Sequence, residues 1–182
     1  MSTAFPLESI PEADISPALD QAIRRMLCEC FPADAEAFSR ARCWHESSPA
    51  YTVVCRERDR VLGHVAIVER QIACGPTPLL VAGVQSLAVV PAARRTGLSG
   101  QLMNRAMDEA RRRGIPWGLL FCVPDLSAFY GRLGWRKIDR PVTMQDEHGR
   151  PTALPAKNIA MVLDLSSARL PDGPLDLCGR DW

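Results

Sequence analysis

The residues best suited to chemistry lie in the run Val89-Val90-Pro91-Ala92-Ala93-Arg94-Arg95-Thr96-Gly97-Leu98-Ser99-Gly100. An apolar strand enters a turn of small residues, and a helix opens behind it. The first N–H groups of a helix lack an intrahelical acceptor and lie at the positive end of its dipole, so such a turn can cradle a pyrophosphate. Gly97 permits close backbone approach, and Ser99 and Gly100 keep the floor open, where a long side chain would block a phosphate. Taken alone, the run is better read as an ordinary strand–helix turn. The run is no dinucleotide fingerprint, because the first glycine of G-x-G-x-x-G is missing and no acid sits about 20 residues on. Nor is it a Walker loop, because no Gly-Lys-Ser/Thr follows. A second run, Ser127-Ala128-Phe129-Tyr130-Gly131-Arg132-Leu133-Gly134-Trp135, closes the next strand–helix unit. Read alone, Phe129 and Tyr130 are two core aromatics. His64 falls mid-strand as a core histidine, and His45 follows Trp44 in a loop. Cys122 reads as a packed thiol rather than a nucleophile.

These residues need a frame. Ser16-Pro17 pairs a helix N-cap with proline in the first turn, and Leu19, Ile23, Met26, Leu27 and Cys30 follow at helical spacing until Pro32. Residues 33–42 suit a second short helix. Residues 51–56 and 61–68 read as an antiparallel hairpin across the charged turn 57–60. Residues 74–78 form a turn, and 79–90, the most apolar stretch, a central strand that Pro91 ends. A helix over 98–113 carries Leu98, Leu102, Ala106 and Ala110 on one face, with Arg111, Arg112 and Arg113 at its C-terminal dipole and Gly114 as a left-handed cap. A strand over 117–123, a short helix over 126–133, a strand from 135 to 138, a loop over 139–157 and a last strand over 158–165 follow. Residues 1–14 read as a loose or edge-lying start and 166–182 as a tail. The alternation gives one domain over 1–182, of α/β or α+β class, around a mixed sheet.

Composition narrows the function classes. The 182 residues carry 22 Lys+Arg against 21 Asp+Glu, which argues against a broad basic face for nucleic acid and against a polybasic membrane anchor. Hydrophobic residues at 47% and charged residues at 24% exclude disorder as the main state. No apolar run approaches the roughly 20 residues of a membrane span, and the acidic start is not a signal peptide. The 7 cysteines are scattered with no C-x-x-C pair, a poor disulfide framework and a poor metal site. Reduced thiols in a cytoplasmic protein are expected.

Taken together, the two runs resemble the GNAT superfamily, the Gcn5-related N-acetyltransferases. Val89, Pro91, Arg94, Gly97, Leu98 and Leu102 match its phosphate-loop pattern V-x-P-x-x-R-x-x-G-[IL]-[GA]-x-x-L, with Ser99 standing where Gly or Ala is usual. Ala128-Phe129-Tyr130 and Gly134-Trp135 match its second signature. The resemblance covers roughly residues 51–165 and implies a central mixed, largely antiparallel sheet flanked by helices on both faces. Within the superfamily it is closest to the aminoglycoside 2′-N-acetyltransferases, and extends more faintly to the nodulation acyltransferases. Ile23-Arg24-Arg25-Met26 with Phe31 and Asp34 looks like their first helix and acidic loop, and Trp117 to Trp135 aligns without a gap. Val84-Gln85-Ser86-Leu87-Ala88-Val89 stands where they have V-E-G-V-A-V, and Asp181-Trp182 is similar to their Asp-x-Trp terminus, which reaches into the substrate site.

The resemblance implies direct transfer from acetyl-CoA to a primary amine in a ternary complex, with no metal. Leu87, Ala88 and Val89 would offer backbone groups to the pantetheine, with the Val89 N–H as oxyanion donor, a contact worth about 3–4 kcal/mol elsewhere. Arg94, Arg95, Thr96, Gly97, Leu98, Ser99 and Gly100 would hold the pyrophosphate, with Phe129 also on the donor side. Tyr130 would be the general acid for the leaving thiolate, since a phenol of pKa about 10 stays protonated at neutral pH. Gln85 replaces the glutamate of the aminoglycoside enzymes, and an amide cannot take a proton there, though it could orient a water or a substrate hydroxyl. Asp34, Glu36, His45, His64, Asp125 and a carboxylate at Trp182 are the remaining base candidates. Asp34, Gln85, Ser86, Phe121, Asp181 and Trp182 are the expected acceptor contacts. Gln85, and Phe121 in place of a polar serine, point to an acceptor unlike the usual deoxystreptamine drugs, such as the smaller kasugamycin. Antibiotic resistance would be the biological role. The competing readings are acetylation of another small amine or a protein N-terminus, and a non-catalytic acyl-CoA-binding module. A homodimer is what the family suggests.

Overall fold

Residues 5–45 and 47–182 are described by the computed structural model. Ser16 caps the first helix as its sequence demands: its Oγ accepts the Leu19 N–H at 3.2 Å, and Pro17 opens the turn. Strand β1 (Leu7–Pro11) precedes helices α1 (Pro17–Cys30) and α2 (Ala35–Arg40). Strands β2 (Tyr51–Glu57), β3 (Arg60–Cys74) and β4 (Thr77–Val89) follow, then α3 (Leu98–Arg112), β5 (Trp117–Cys122) and α4 (Ser127–Gly131). The rest is β6 (Arg136–Lys137), β7 (Val142–Gln145), β8 (Pro151–Ala153), β9 (Ile159–Asp164) and β10 (Leu175–Asp176). The class is α/β with a mixed sheet: β4–β5 and β10–β7 are parallel, the other registered pairs antiparallel.

Two compact units emerge. The first takes in the chain up to Ile67 together with Gln85–Glu109. Within it β1 pairs with β2 and β2 with β3, where a bulge shifts the register at Cys55/Arg56. Side-chain alternation sends Val54 toward a cluster with Ile23, Met26, Leu27 and Phe38 of α1 and α2. On the opposite parity Tyr51 donates its hydroxyl to the Ala106 carbonyl of α3 at 2.8 Å. Helices therefore cover both faces of this part of the sheet. Arg42, buried after α2, reaches Asp20 at 2.8 Å, Thr52 at 3.4 Å and also Glu12. The second unit takes in Val68–Val84 and Ala110–Trp182. Its strands run β6-β9-β5-β4-β3-β10-β7-β8 around Val81, Leu119, Val162, Leu175 and Trp182. At the C-terminal end of α3, Gly114 adopts φ +75° while Ile115 N–H bonds Ala110 O and Gly114 N–H bonds Arg111 O, the double closure expected of a glycine cap.

Two expectations give way and two take definite form. The loose or edge-lying start is edge-lying over residues 7–11, a strand paired with β2 alone, and residues 1–4 lie outside those described. The hairpin arms run on to Cys74 and from Thr77, so the turn is confined to Gly75-Pro76. The loop over 139–157 contains the β7–β8 hairpin: Val142 and Met144 face inward, and Asp146 Oδ1 accepts the N–H groups of His148 and Arg150 at 2.8 and 2.9 Å, folding the turn. The tail is knit into the second unit by β10, by Leu177 N–H to Thr143 O at 2.9 Å and by Gln145 N–H to Gly179 O at 2.8 Å. Among the described residues no helix is long and apolar enough to cross a membrane.

Candidate active site

The first unit contains the cradle. Strand β4 ends at Val89, and a short 3-10 turn, Pro91–Ala93, follows. Arg94 Nε donates to the Val89 carbonyl at 3.2 Å, and Thr96 Oγ1 to the Ala93 carbonyl at 2.7 Å. Arg95 at φ 63° and Gly97 at φ 85° bend the chain through the left-handed region. Gln101 N–H bonds the Gly97 carbonyl at 3.2 Å, so the N–H groups of Leu98, Ser99 and Gly100 precede the first intrahelical bond of α3. A Cβ built on Gly97 meets nothing within 4 Å. Its direction is open space into which no other group of the described chain intrudes. Leu98 is buried and anchors the helix start, while Arg94, Arg95, Thr96 and Gly97 are exposed. These residues fit a diphosphate.

Upstream on the same strand, Ser86 sits at φ 53°, an uncommon conformation for a non-glycine residue and a break in the regular strand. His64 Nδ1 lies 2.9 Å from the Ser86 carbonyl and pins that break. His64 is fully buried, and burial drives its pKa down to about 4, so it is a neutral donor there and not an exposed base. The sign for stability follows. Between pH 6.5 and about 4 the unfolded chain binds a proton that the folded chain refuses, so stability is present above pH 6.5 and drains away as pH falls toward 4. We expect urea unfolding to show a loss of about 3 kcal/mol across that window, absent from His64→Asn. A loss equal in both proteins would assign the acid sensitivity to other groups.

Gln85 is 3% exposed, with its amide bonded to backbone: Oε1 accepts the Trp44 N–H at 2.9 Å and Nε2 donates to the Ser47 carbonyl at 2.7 Å. His45 between them is exposed at φ 48°. Asp34 is exposed at the end of a 3-10 turn, and Glu36 pairs with Arg40 at 2.6 Å.

In the second unit Tyr130 is buried on α4, its ring edge-on to Phe129 at 4.9 Å and Trp135 at 6.2 Å. Burial, with Cys122 adding to it, pushes the phenol well above its usual range, so it stays protonated at any working pH. Burial likewise pushes the Cys122 thiol up, opposite to what an activated nucleophile needs. Asp125 is exposed before α4. Trp182 lies 5.2 Å from the Phe121 ring, with the Arg70 guanidinium carbon 5.0 Å over it. A Cβ on Gly83 would come within 2.3 Å of the Trp182 ring, so the absent side chain at Gly83 makes the slot. Asp181 is 7% exposed and its charge acts on Arg70, whose pKa burial lowers. Trp182→Ala should cost about 3–5 kcal/mol in urea unfolding, as for other buried tryptophans, and Trp182→Phe less. Unchanged stability would make the ring a surface feature. Arg70, Gly83 and the His64–Ser86 bond carry no local sequence signal, because each acts on a residue distant in the chain. An open groove of about 620 Å³, lined by Lys137, Arg140, Thr143, Thr152 and Asn158, includes none of the expected site residues.

A helix start reached from a central strand that carries one left-handed residue is the candidate donor site of this α/β fold. The chain belongs to the GNAT family: a family model for the acetyltransferase (GNAT) domain matches residues 15–138. It is an acetyl-CoA-dependent N-acetyltransferase. Its fold is similar to that of a GNAT family N-acetyltransferase, YhbS, from Escherichia coli, solved in complex with CoA, at TM-score 0.68 and 18% identity over 97% of this chain and 92% of that one. It is also similar to an aminoglycoside 6′-acetyltransferase type Ii, at TM-score 0.63 and 17% identity over 90% and 99% of the two chains. An acyl-CoA N-acyltransferase from Pseudomonas aeruginosa gives TM-score 0.62 and 18% identity over 88% and 99%.

Proposed function

We propose that this N-acetyltransferase acetylates a primary amine of an aminoglycoside-type amino sugar, in the manner of the 2′-acetyltransferases, and so confers resistance. The observation that carries the reading is the ordered tail: Asp181 and Trp182 are both buried, and Trp182 lies against Phe121. The packing of Trp182 on the strand before the Tyr130 helix supports the subfamily reading. Two aminoglycoside 6′-acetyltransferases share the fold at 17% and 15% identity, which supports the fold and leaves the acceptor to this chain's own residues. Phe121 gives that strand an apolar ring packed on Trp182 rather than a hydroxyl, which favours an acceptor smaller than the deoxystreptamine drugs.

The roles divide by chemistry. The backbone of Leu98, Ser99 and Gly100, with Arg94, Arg95 and Thr96 around it, binds the diphosphate of acetyl-CoA. Leu87, Ala88 and Val89 orient the pantetheine, and the Val89 N–H meets charge developing on the thioester oxygen. The family resemblance gives the neutral Tyr130 hydroxyl the role of proton donor to the leaving thiolate. Acetyl-CoA supplies the acyl group, and the acceptor amine attacks while neutral. The second reading is another small amine.

The test is thiol release from acetyl-CoA with kasugamycin, 2′-amino and 2′-hydroxy aminoglycosides, polyamines and amino acids, the acetylated position being read by NMR. Turnover confined to amino sugars, with acetyl on the amine, supports the reading. Turnover only with polyamines or amino acids overturns the aminoglycoside assignment and leaves the transferase.

A further inference from the structure

The loop that joins α2 to β2 is held at three places, each by different residues. Arg42 fixes its start through Asp20, Glu12 and Thr52. Its end is fixed by Ala50, whose N–H bonds the Ile67 carbonyl at 2.7 Å and whose carbonyl accepts the Glu12 N–H at 3.0 Å. Its middle is a turn in which Ser47 N–H bonds the Trp44 carbonyl at 2.9 Å and His45 takes a left-handed φ of 48°. That turn rests on the Trp44 ring, 4.5 Å from Phe38 and 6.2 Å from Phe31, and on the side chain of Gln85. Gln85 bonds both limbs of the turn, accepting from Trp44 and donating to Ser47. A carboxylate has no donor and would face the Ser47 carbonyl with like charge, so these two bonds require an amide.

Position along the strand gives this clamp its meaning. The proposed diphosphate cradle lies just beyond the C-terminal end of β4, and a pantetheine held by Leu87–Val89 as proposed above would run back from it toward Gln85. The thioester then ends on the Gln85 side, where the acceptor amine must arrive. We propose that Gln85 is a positioning residue that holds Trp44 and Ser47 as part of one wall of the acceptor site, and that it takes no proton from the acceptor. The inference rests on the N-acetyltransferase reading. It differs from the role of orienting a water or a substrate hydroxyl: Gln85 is buried, and each polar end of its side chain already bonds backbone.

The experiment uses the full chain carrying Gln85→Met, which fills similar volume without either bond, and Gln85→Glu, which keeps the acceptor and loses the donor. Amide hydrogen exchange is expected to quicken about tenfold or more over residues 43–48 and to stay at wild-type rates in the cradle and in α3. The acceptor KM is expected to rise about tenfold, with the acetyl-CoA KM and kcat within twofold of wild type. Unchanged exchange over 43–48 overturns the clamp, as does a fall in kcat with the acceptor KM unmoved. A higher kcat in Gln85→Glu also overturns it, because that result makes the position a base. Global loss of protection in both variants contradicts a local role. If no amine is acetylated even by wild type, the transferase reading fails while the exchange data still decide the clamp.

Discussion

Gly97→Glu is expected to raise the dissociation constant for coenzyme A about a hundredfold or more. The glycine sits at φ +85°, and its Cβ direction is open. A side chain there meets no protein atom, so the fold survives with a backbone strain of about 1–2 kcal/mol. What the carboxylate would meet is a phosphate in the cradle. Two like charges about 5 Å apart at an effective dielectric constant of about 20 repel by about 3 kcal/mol, and each 1.4 kcal/mol is roughly tenfold in affinity. Steric exclusion adds to this. Gly97→Ala serves as the partner, paying the same strain without the charge, and should bind within about tenfold of wild type. Titration calorimetry reads both. Equal affinity in wild type and Gly97→Glu would remove the cradle from residues 94–100.

Tyr130→Phe is expected to lower kcat by about 10²–10⁴-fold with the acetyl-CoA KM nearly unchanged, the range typical of a proton-transfer group. The substitution keeps the ring that packs on Phe129 and Trp135, so stability should hold and the effect belongs to the hydroxyl. Burial raises the phenol's pKa, which keeps it neutral and able to donate a proton. The sign is definite: kcat should show no alkaline fall from this group below about pH 10, since its protonated fraction does not drop in that range. A Tyr130→Phe enzyme that turns over like wild type would leave the thiolate to be protonated by solvent or another group.

The parts of this site that were legible in the sequence are the local ones. Pro91, Gly97 and the small residues after it announce a turn into a helix, Ser16-Pro17 and Gly114 announce helix ends, and the structure has each. The clamp at Gln85 was hidden because it joins residues 41 and 38 positions away, and no periodicity reports such a bond. The left-handed turn at Ser86 was hidden for another reason: serine carries no marker for positive φ, and the carbonyl it presents is pinned by a histidine 22 residues earlier. Arg70 over Trp182 spans most of the second unit's sequence and is equally silent locally. The β7–β8 hairpin did leave a trace, the alternation of Val142 and Met144 with Thr143 and Gln145, outweighed by the prolines and charges around it.

The proposed roles rest on direct acetyl transfer from a donor held at the β4–α3 turn to an amine, with no acyl-enzyme. Initial rates of thiol release, measured with acetyl-CoA and an accepted amine both varied, test it most directly. Intersecting double-reciprocal lines, with no thiol released and no acetyl adduct on the intact protein when the amine is withheld, are the predicted result. Parallel lines with a burst of thiol before amine is added would contradict it, and the nucleophile would then have to be sought among residues such as Cys122.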